Sequence, residues 1–322
     1  MYRSLYPLAL CLVFVLGVLS GQRRCAGQSR ANSIAAIDVD DADFQIQGEY
    51  VGPNEMMHVI ARGDGKFEIV VYEATDGKRR ASDPAPRRMD GDKGKVLEIA
   101  ESIDARRVVR DSPTLNAKPP SNAVVLFDGS EASLDNWVKA SLETSPDGRS
   151  HLLMVGTRTK QNFRDYRLHL EFRTPFMPTK TGQKRGNSGV YHQARYETQI
   201  LDSFGLKRGK NDAGSIYDIK APDINACLPP MQWQTYDVEF TAARFDGDRK
   251  ISDARMTVRL NGVIVQNDIA VPRATRAAPN KEDSSDGPIY LQNHGDPVRF
   301  RNIWLVPRDT DRKSARPNGP GR

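Results

Sequence analysis

Arg195, Glu197 and Gln199 sit at alternate positions in RGNSGVYHQARYETQILDSFG (Arg185–Gly205). Tyr290, Gln292 and His294 do the same in GPIYLQNHGDPVRFRNIWLVP (Gly287–Pro307). Alternation is the period of a β-strand, whose successive side chains point to opposite faces, so each stretch reads as a strand with one polar face. On the first, Tyr191, Gln193, Arg195, Glu197 and Gln199 share a face, while Val190, Ala194 and Ile200 fall on the other. Taken alone, that face is equally well explained as a sheet surface facing solvent. If the two strands are neighbours in a curved sheet, the hollow side collects Arg195, Glu197, Gln199, Gln292 and His294. Amides, an arginine and aromatic rings provide the donors and acceptors that sugar hydroxyls require. A lone histidine is more often a structural residue, but one that converges with a carboxylate is an acid/base candidate, because its pKa lies near neutrality.

The elements that would position these residues are strands. YRLHLEFRT alternates, with Leu168, Leu170 and Phe172 on one face and Arg167, His169, Glu171 and Arg173 on the other. TYDVEFTA repeats the pattern with Tyr236, Val238 and Phe240, and RMTVRLNGVIVQND carries Asn261-Gly262 as a type I′ hairpin turn. No amphipathic helix is evident after residue 120. Strands at short spacing with turn signals between them predict an all-β antiparallel sandwich or jelly roll over residues 123–308. Ahead of it, residues 38–110 read as a small β module of unknown role, with strands in FQIQGEYVG, MMHVIARGDGKFEIVVYEA and GKVLEIAES and a tight turn at Gly63–Lys66. Residues 111–122 read as a Pro-rich linker and 309–322 as a disordered charged tail.

Residues 1–26 read as a signal peptide: Arg3 is followed by the apolar run Leu8–Leu19 and the small residues Ser20 and Gly21. The run is short for a span, which needs ~20 residues, so the expectation is an exported protein, periplasmic or extracellular, without stable membrane insertion. Charged residues make up 27% of the 322 and hydrophobic ones 38%, which permits a packed core. The net charge of +6 is spread among interspersed acidic groups, and no nucleic-acid motif is present, so nucleic acid is not expected as a partner. Of three cysteines only Cys227 falls in the expected mature domain, which leaves no disulfide framework and no cysteine metal site.

Five segments in order, LFDGSEASLDNW, NSGVYHQARYETQILDS, GSIYDIKAPDINACLPPMQWQTYDVEF, LNGVIVQND and GPIYLQNHGDPVRFRNIWLVP, together resemble the 3-keto-disaccharide hydrolase domain family. The resemblance runs from about Val124 to Pro307 and implies a concanavalin A-like sandwich in an exported bacterial protein. It places the family's NSG turn on Asn187, Ser188 and Gly189, and its YE-x-Q-x-x-D segment on Tyr196, Glu197, Gln199 and Asp202. Tyr217, Pro222, Asn225 and Trp233 match the next segment, with Lys220 among them, and Gln292, His294 and Gly295 match the last. Where family members often carry an arginine after the NSG turn, this chain has Gln193, a departure that bears on affinity or rate and that Arg195 could offset.

The activity that the resemblance implies is cleavage of a glycoside or oligosaccharide oxidised at C3. The ketone acidifies the C2 proton; a base removes it, the aglycone leaves C1 by β-elimination, and water adds to the enone. Such a site needs a base near C2, a donor at the C3 oxygen and an acid for the leaving group, unlike the paired carboxylates of ordinary glycoside hydrolysis. His294 and Glu197 are the catalytic candidates. Arg195, Gln199, Lys220, Gln292, Asp202, Tyr217, Gln193 and Asn187 are the substrate-binding candidates. No closely spaced ligand motif is present, so no cofactor is expected, although a divalent metal on Glu197, Asp202 and His294 stays open if folding gathers them. The alternative is a non-catalytic, lectin-like carbohydrate-binding module, since fold does not fix function; a purely structural exported protein has no positive feature behind it.

Overall fold

The computed structural model describes residues 41–74, 85–144 and 151–308, all within one compact unit. The expected signal peptide and charged tail lie outside the described residues. The N-terminal block begins with α1 (Ala42–Ile46), capped by the Asp41 carboxylate, which accepts from Asp43 N at 2.7 Å. An antiparallel sheet of order β4-β3-β2-β1-β5 follows: β1 (Gly48–Val51), β2 (Glu55–Gly63), β3 (Lys66–Glu73), β4 (Arg87–Asp92) and β5 (Arg106–Val108). The β2–β3 turn falls on Asp64-Gly65, both at positive φ. GKVLEIAES, expected as a strand, is instead within the helix α2 (Lys93–Ser102). Val96, Ile99 and Ala100 fall on one helical stripe, and Asp92 caps the N-terminus by accepting from Lys95 N at 2.9 Å.

This block is joined to the sandwich by a shared core. Met57, Val59, Phe67, Ile69 and Val71 pack with Val96, Ile99 and Ala100 of α2, whereas Met56, Ile60, Val70 and Tyr72 on the opposite face merge with the core of the next domain. His58 stacks on Phe204 with centroids 4.7 Å apart. Gly205, at φ +67°, lies so close to Ile60 that a Cβ there would collide with it. Arg185 Nη1 donates to Ala61 O at 3.0 Å, and its Nε to Asp202 Oδ2 at 2.7 Å.

The sandwich is all-β and antiparallel. Its large sheet uses β6 (Val124–Phe127), β8 (Leu142–Thr144), β9 (His151–Met154), β11 (Tyr166–Arg173), β14 (Gln234–Thr241), β17 (Ala254–Leu260), β18 (Val263–Val271) and β20 (Arg299–Pro307), in order β18-β17-β14-β11-β20-β9-β8 with β6 also on β20. Its small sheet uses β7 (Trp137–Val138), β10 (Thr157–Thr159), β12 (Ser188–His192), β13 (Tyr196–Ile200) and β19 (Tyr290–Leu291), in order β13-β12-β19-β10-β7. A two-stranded ribbon, β15 (Arg244–Asp246) and β16 (Arg249–Ser252), stands apart. Between the sheets lie Leu168, Leu170, Phe172, Tyr236, Val238 and Phe240 from one side and Val190, Tyr196, Ile200 and Leu291 from the other, each large apolar side chain contributing about 1.5–3 kcal/mol. His192 sits between them, stacked on Phe240 and hydrogen-bonded to Tyr166 Oη at 3.0 Å; burial drives its pKa down to about 3.

The Pro-rich segment 111–122 is laid along the outer face of the large sheet. Ser112 Oγ bonds Thr235 Oγ1 at 2.6 Å, Thr114 Oγ1 donates to Asp237 Oδ2 at 2.7 Å, and Asn116 N donates to Glu171 Oε1 at 2.5 Å. Beneath it His169 and Glu171 are buried, with His169 Nδ1 2.8 Å from Asp237 Oδ1. Burial alone would lower the His169 pKa, but its hydrogen bonds to Asp237 and Glu171 prevail and raise it.

Candidate active site

Gly189 to Gln199, expected as one strand, is a hairpin. β12 and β13 meet at Gln193-Ala194, both at φ +54°, and the register sets Tyr191 opposite Glu197 and Gly189 opposite Gln199. Because Val190, Tyr196 and Ile200 face the core, strand alternation turns Tyr191, Glu197 and Gln199 to the outer face. β19 lies on the far side of β12 with Tyr290 opposite Tyr191 and ring centroids 5.7 Å apart. The backbone continues until Gln292 N donates to Gly189 O at 2.9 Å. Gly287–Pro307 is likewise not one strand: β19 belongs to the small sheet and β20 to the large one, and the chain crosses between them through residues 292–298.

Glu197 is the centre of this patch. It is 1% exposed, and burial pushes its carboxyl up to about 8, with a hydrogen bond from Tyr191 pulling the other way. Its Oε2 is buried without a hydrogen-bond partner, a condition rare enough for a buried polar atom to call for a ligand or a proton there. Gly189 makes room for it, since a Cβ at that position would overlap Glu197 Oε1. The Tyr191 phenol is driven well above the ordinary range by burial and by Glu197, so it stays a proton donor. Gln292 Nε2 donates to Tyr191 Oη at 3.3 Å, while its own Oε1 has no partner. Gln199 Nε2 donates to Asn187 Oδ1 at 2.9 Å, and Asn187 N donates to Asp296 Oδ2 at 2.7 Å, which pins the crossing loop against the NSG turn. Tyr217 N donates to Glu197 O at 3.1 Å. Tyr217, Tyr290 and Gln292 are half-buried and form the rim.

Among the expected site residues, Glu197, Gln199, Asn187, Gln292 and Tyr217 come together. His294 does not touch Glu197: it is exposed on the crossing loop, without a hydrogen bond or ion pair among the described residues, and β12 stands between its segment and β13. Arg195 lies at the turn end of β13, where its five donors are taken by Lys281 O, Gln193 Oε1, Ser285 O, Ser285 Oγ and Asp283. Gln193 donates to Phe163 O at 2.9 Å within the same turn. Lys220 pairs with Asp223 and is not aimed at Glu197, and Asp202 is consumed by the buried pair with Arg185. Among the described residues no group of three or more His, Cys, Asp or Glu could hold a metal ion, so Glu197, Asp202 and His294 are not gathered. No helix among them is long and apolar enough to cross a membrane. Tyr191, expected on the same face as Glu197, is there, although across a hairpin rather than along one strand. The room that Gly189 makes for Glu197 escapes sequence reasoning because it depends on the hairpin register.

The model of the 3-keto-alpha-glucoside-1,2-lyase-like domain matches residues 122–306. A candidate glycosyl hydrolase of known structure from Parabacteroides distasonis ATCC 8503 is 33% identical, with a TM-score of 0.52 over 59% of this chain and 85% of that one. A second from the same organism is 19% identical, with a TM-score of 0.43 over 58% of this chain and 94% of the other. No curated protein matches the chain.

Proposed function

The chain belongs to the 3-keto-alpha-glucoside-1,2-lyase-like domain family, and on that premise we propose that it cleaves glycosides already oxidised to a ketone at C3. The observation that carries this reading is the Glu197 carboxyl: buried, raised to about 8 and with one oxygen unpartnered. At neutral pH such a group holds its proton, which suits an acid delivering it to a leaving oxygen. In this reading a base takes the C2 proton, and the enolate oxygen receives hydrogen bonds from the outer face of the small sheet, where Tyr191 and the amide of Gln292 stand. Glu197 gives its proton to the C1 oxygen as the aglycone departs, and water adds to the enone. His294, on the loop leaving β19, is the proposed base at the rim, with Gln199 and Tyr217 binding hydroxyls. A sugar-binding module would have no use for a buried carboxyl held in its acid form. The leader read over residues 1–26 supports action outside the cytoplasm.

The test is incubation with a 3-keto-glucoside and with its unoxidised parent, following released aglycone by mass spectrometry. Release from the ketone alone is expected; release from the parent alone would overturn the elimination route.

A further inference from the structure

The outer face of the large sheet carries a second polar cluster, on the opposite wall from Glu197. β11 and β20 pair Arg173 with Arg299 and Glu171 with Arg301, and Trp233 immediately precedes β14 on the neighbouring strand. The Arg301 guanidinium lies 4.1 Å from the centre of the Trp233 ring and that of Arg173 lies 5.1 Å away. Two of the three arginines are neutralised: Arg301 Nε donates to Glu171 Oε2 at 2.7 Å and Arg299 Nε to Glu143 Oε2 at 3.0 Å. Arg173 is different. It is 4% exposed, its Nη1 is covered without an acceptor, and its side chain has neither ion pair nor hydrogen bond among the described residues. Trp233 Nε1, on the ring that both guanidiniums approach, is also buried and unpartnered.

A buried cation without a counter-charge is costly unless something supplies one. Burial is the main cause that lowers the Arg173 pKa, to about 10, with Glu143 opposing the shift and Arg301 and Arg299 adding to it. Among the described residues, three guanidiniums here face two carboxylates, one fewer than would neutralise them. Indole and guanidinium N–H groups are donors only, so the absent partner must be an acceptor.

We propose that Arg173 and Trp233 Nε1 form a binding site for one small oxyanion, a carboxylate or sulfate-type group. Its source is either an acidic sugar or a free inorganic anion. Sulfate, acetate and glucuronate are titrated separately at constant ionic strength into the wild-type chain, Arg173→Met and Trp233→Phe, reading thermal midpoint and tryptophan emission. In the wild type a saturable rise in midpoint with a change in emission is expected; Arg173→Met weakens it ~10–100-fold, as befits a hydrogen bond to a charged group, and Trp233→Phe abolishes the emission change. Without anion, Arg173→Met should melt no lower than the wild type, because the unneutralised charge is gone; a purely structural arginine would give a lower midpoint. Should that variant fail to fold, Arg173→Lys keeps the charge, loses the fork and still weakens binding. A stronger response to glucuronate assigns the site to an acidic sugar, and equal responses assign it to inorganic anions. No saturable response in the wild type, or an equal one in Arg173→Met, overturns the proposal and leaves the reading of Glu197 untouched.

Discussion

Replacing Glu197 with glutamine keeps the shape of the side chain and removes its charge. In the wild type, burial moves this carboxyl from its ordinary 4.5 to about 8. The folded chain therefore holds the proton more tightly than the unfolded one. The stability this provides is complete below pH 4.5 and is lost as pH rises to about 8, at about 1.4 kcal/mol per pH unit, roughly 4–5 kcal/mol across the window. Glu197→Gln lacks that slope. Denaturant unfolding at pH 5 and pH 9 should show the wild type losing several kcal/mol more than the variant. Activity gives a second readout. An acid with this pKa predicts a wild-type rate on a 3-keto substrate that falls as pH passes about 8, and a loss of at least ~10²-fold in the variant. A variant as pH-sensitive in stability as the wild type, or one working within a few-fold of its rate, would refute the reasoning. A rate that climbs through pH 8 would instead make Glu197 the base.

His294→Ala is expected to cost ~10²-fold in turnover if the imidazole transfers a proton, with stability within about 0.5 kcal/mol because the side chain is exposed; near-normal turnover removes it from the mechanism. Gly189→Ala drives a methyl into the Glu197 carboxyl, so a stability loss of about 1–3 kcal/mol should accompany an activity loss resembling that of Glu197→Gln, read by calorimetry and product release. Arg185→Met strands the buried Asp202 carboxylate and should destabilise by about 3–5 kcal/mol in denaturant titrations; a change under 1 kcal/mol would mean that the pair is hydrated.

The sandwich was legible because its long strands alternate cleanly: Leu168, Leu170 and Phe172 point inward as the pattern requires, and Asn261-Gly262 turns at φ +52° and +77° as that pair prefers. The hairpin at Gln193-Ala194 was hidden because neither residue is Gly, Asn or Asp. Both adopt left-handed backbone at a cost of roughly 1–2 kcal/mol each, which the contacts of Gln193 and Arg195 hold in place. Reading through that turn assigned Arg195 to the Glu197 face, when it actually ties residues 281–285 to the hairpin end. The switch of sheets after Leu291 was missed because alternation was read through Gly295 and Pro297, which break a strand. Glu197 and Gln199 survive the correction because they lie beyond the turn, still two apart on one strand. α2 was misread because Val-Leu-x-Ile fits both periods, and only the Asp92 cap separates them.

The family match begins at residue 122, an inviting point at which to cut when making the matched domain alone. Such a cut would remove the strap that seals His169, Glu171 and Asp237 from water, along with the sheet whose Met56, Ile60 and Tyr72 close over Phe204. Polar groups fitted to a dry enclosure would be wetted and a greasy flank laid bare, so the shortened protein should aggregate even with every residue around Glu197 intact. The described residues 41–122 thus close surfaces that the sandwich would otherwise expose, and a fragment meant to stay folded should keep them.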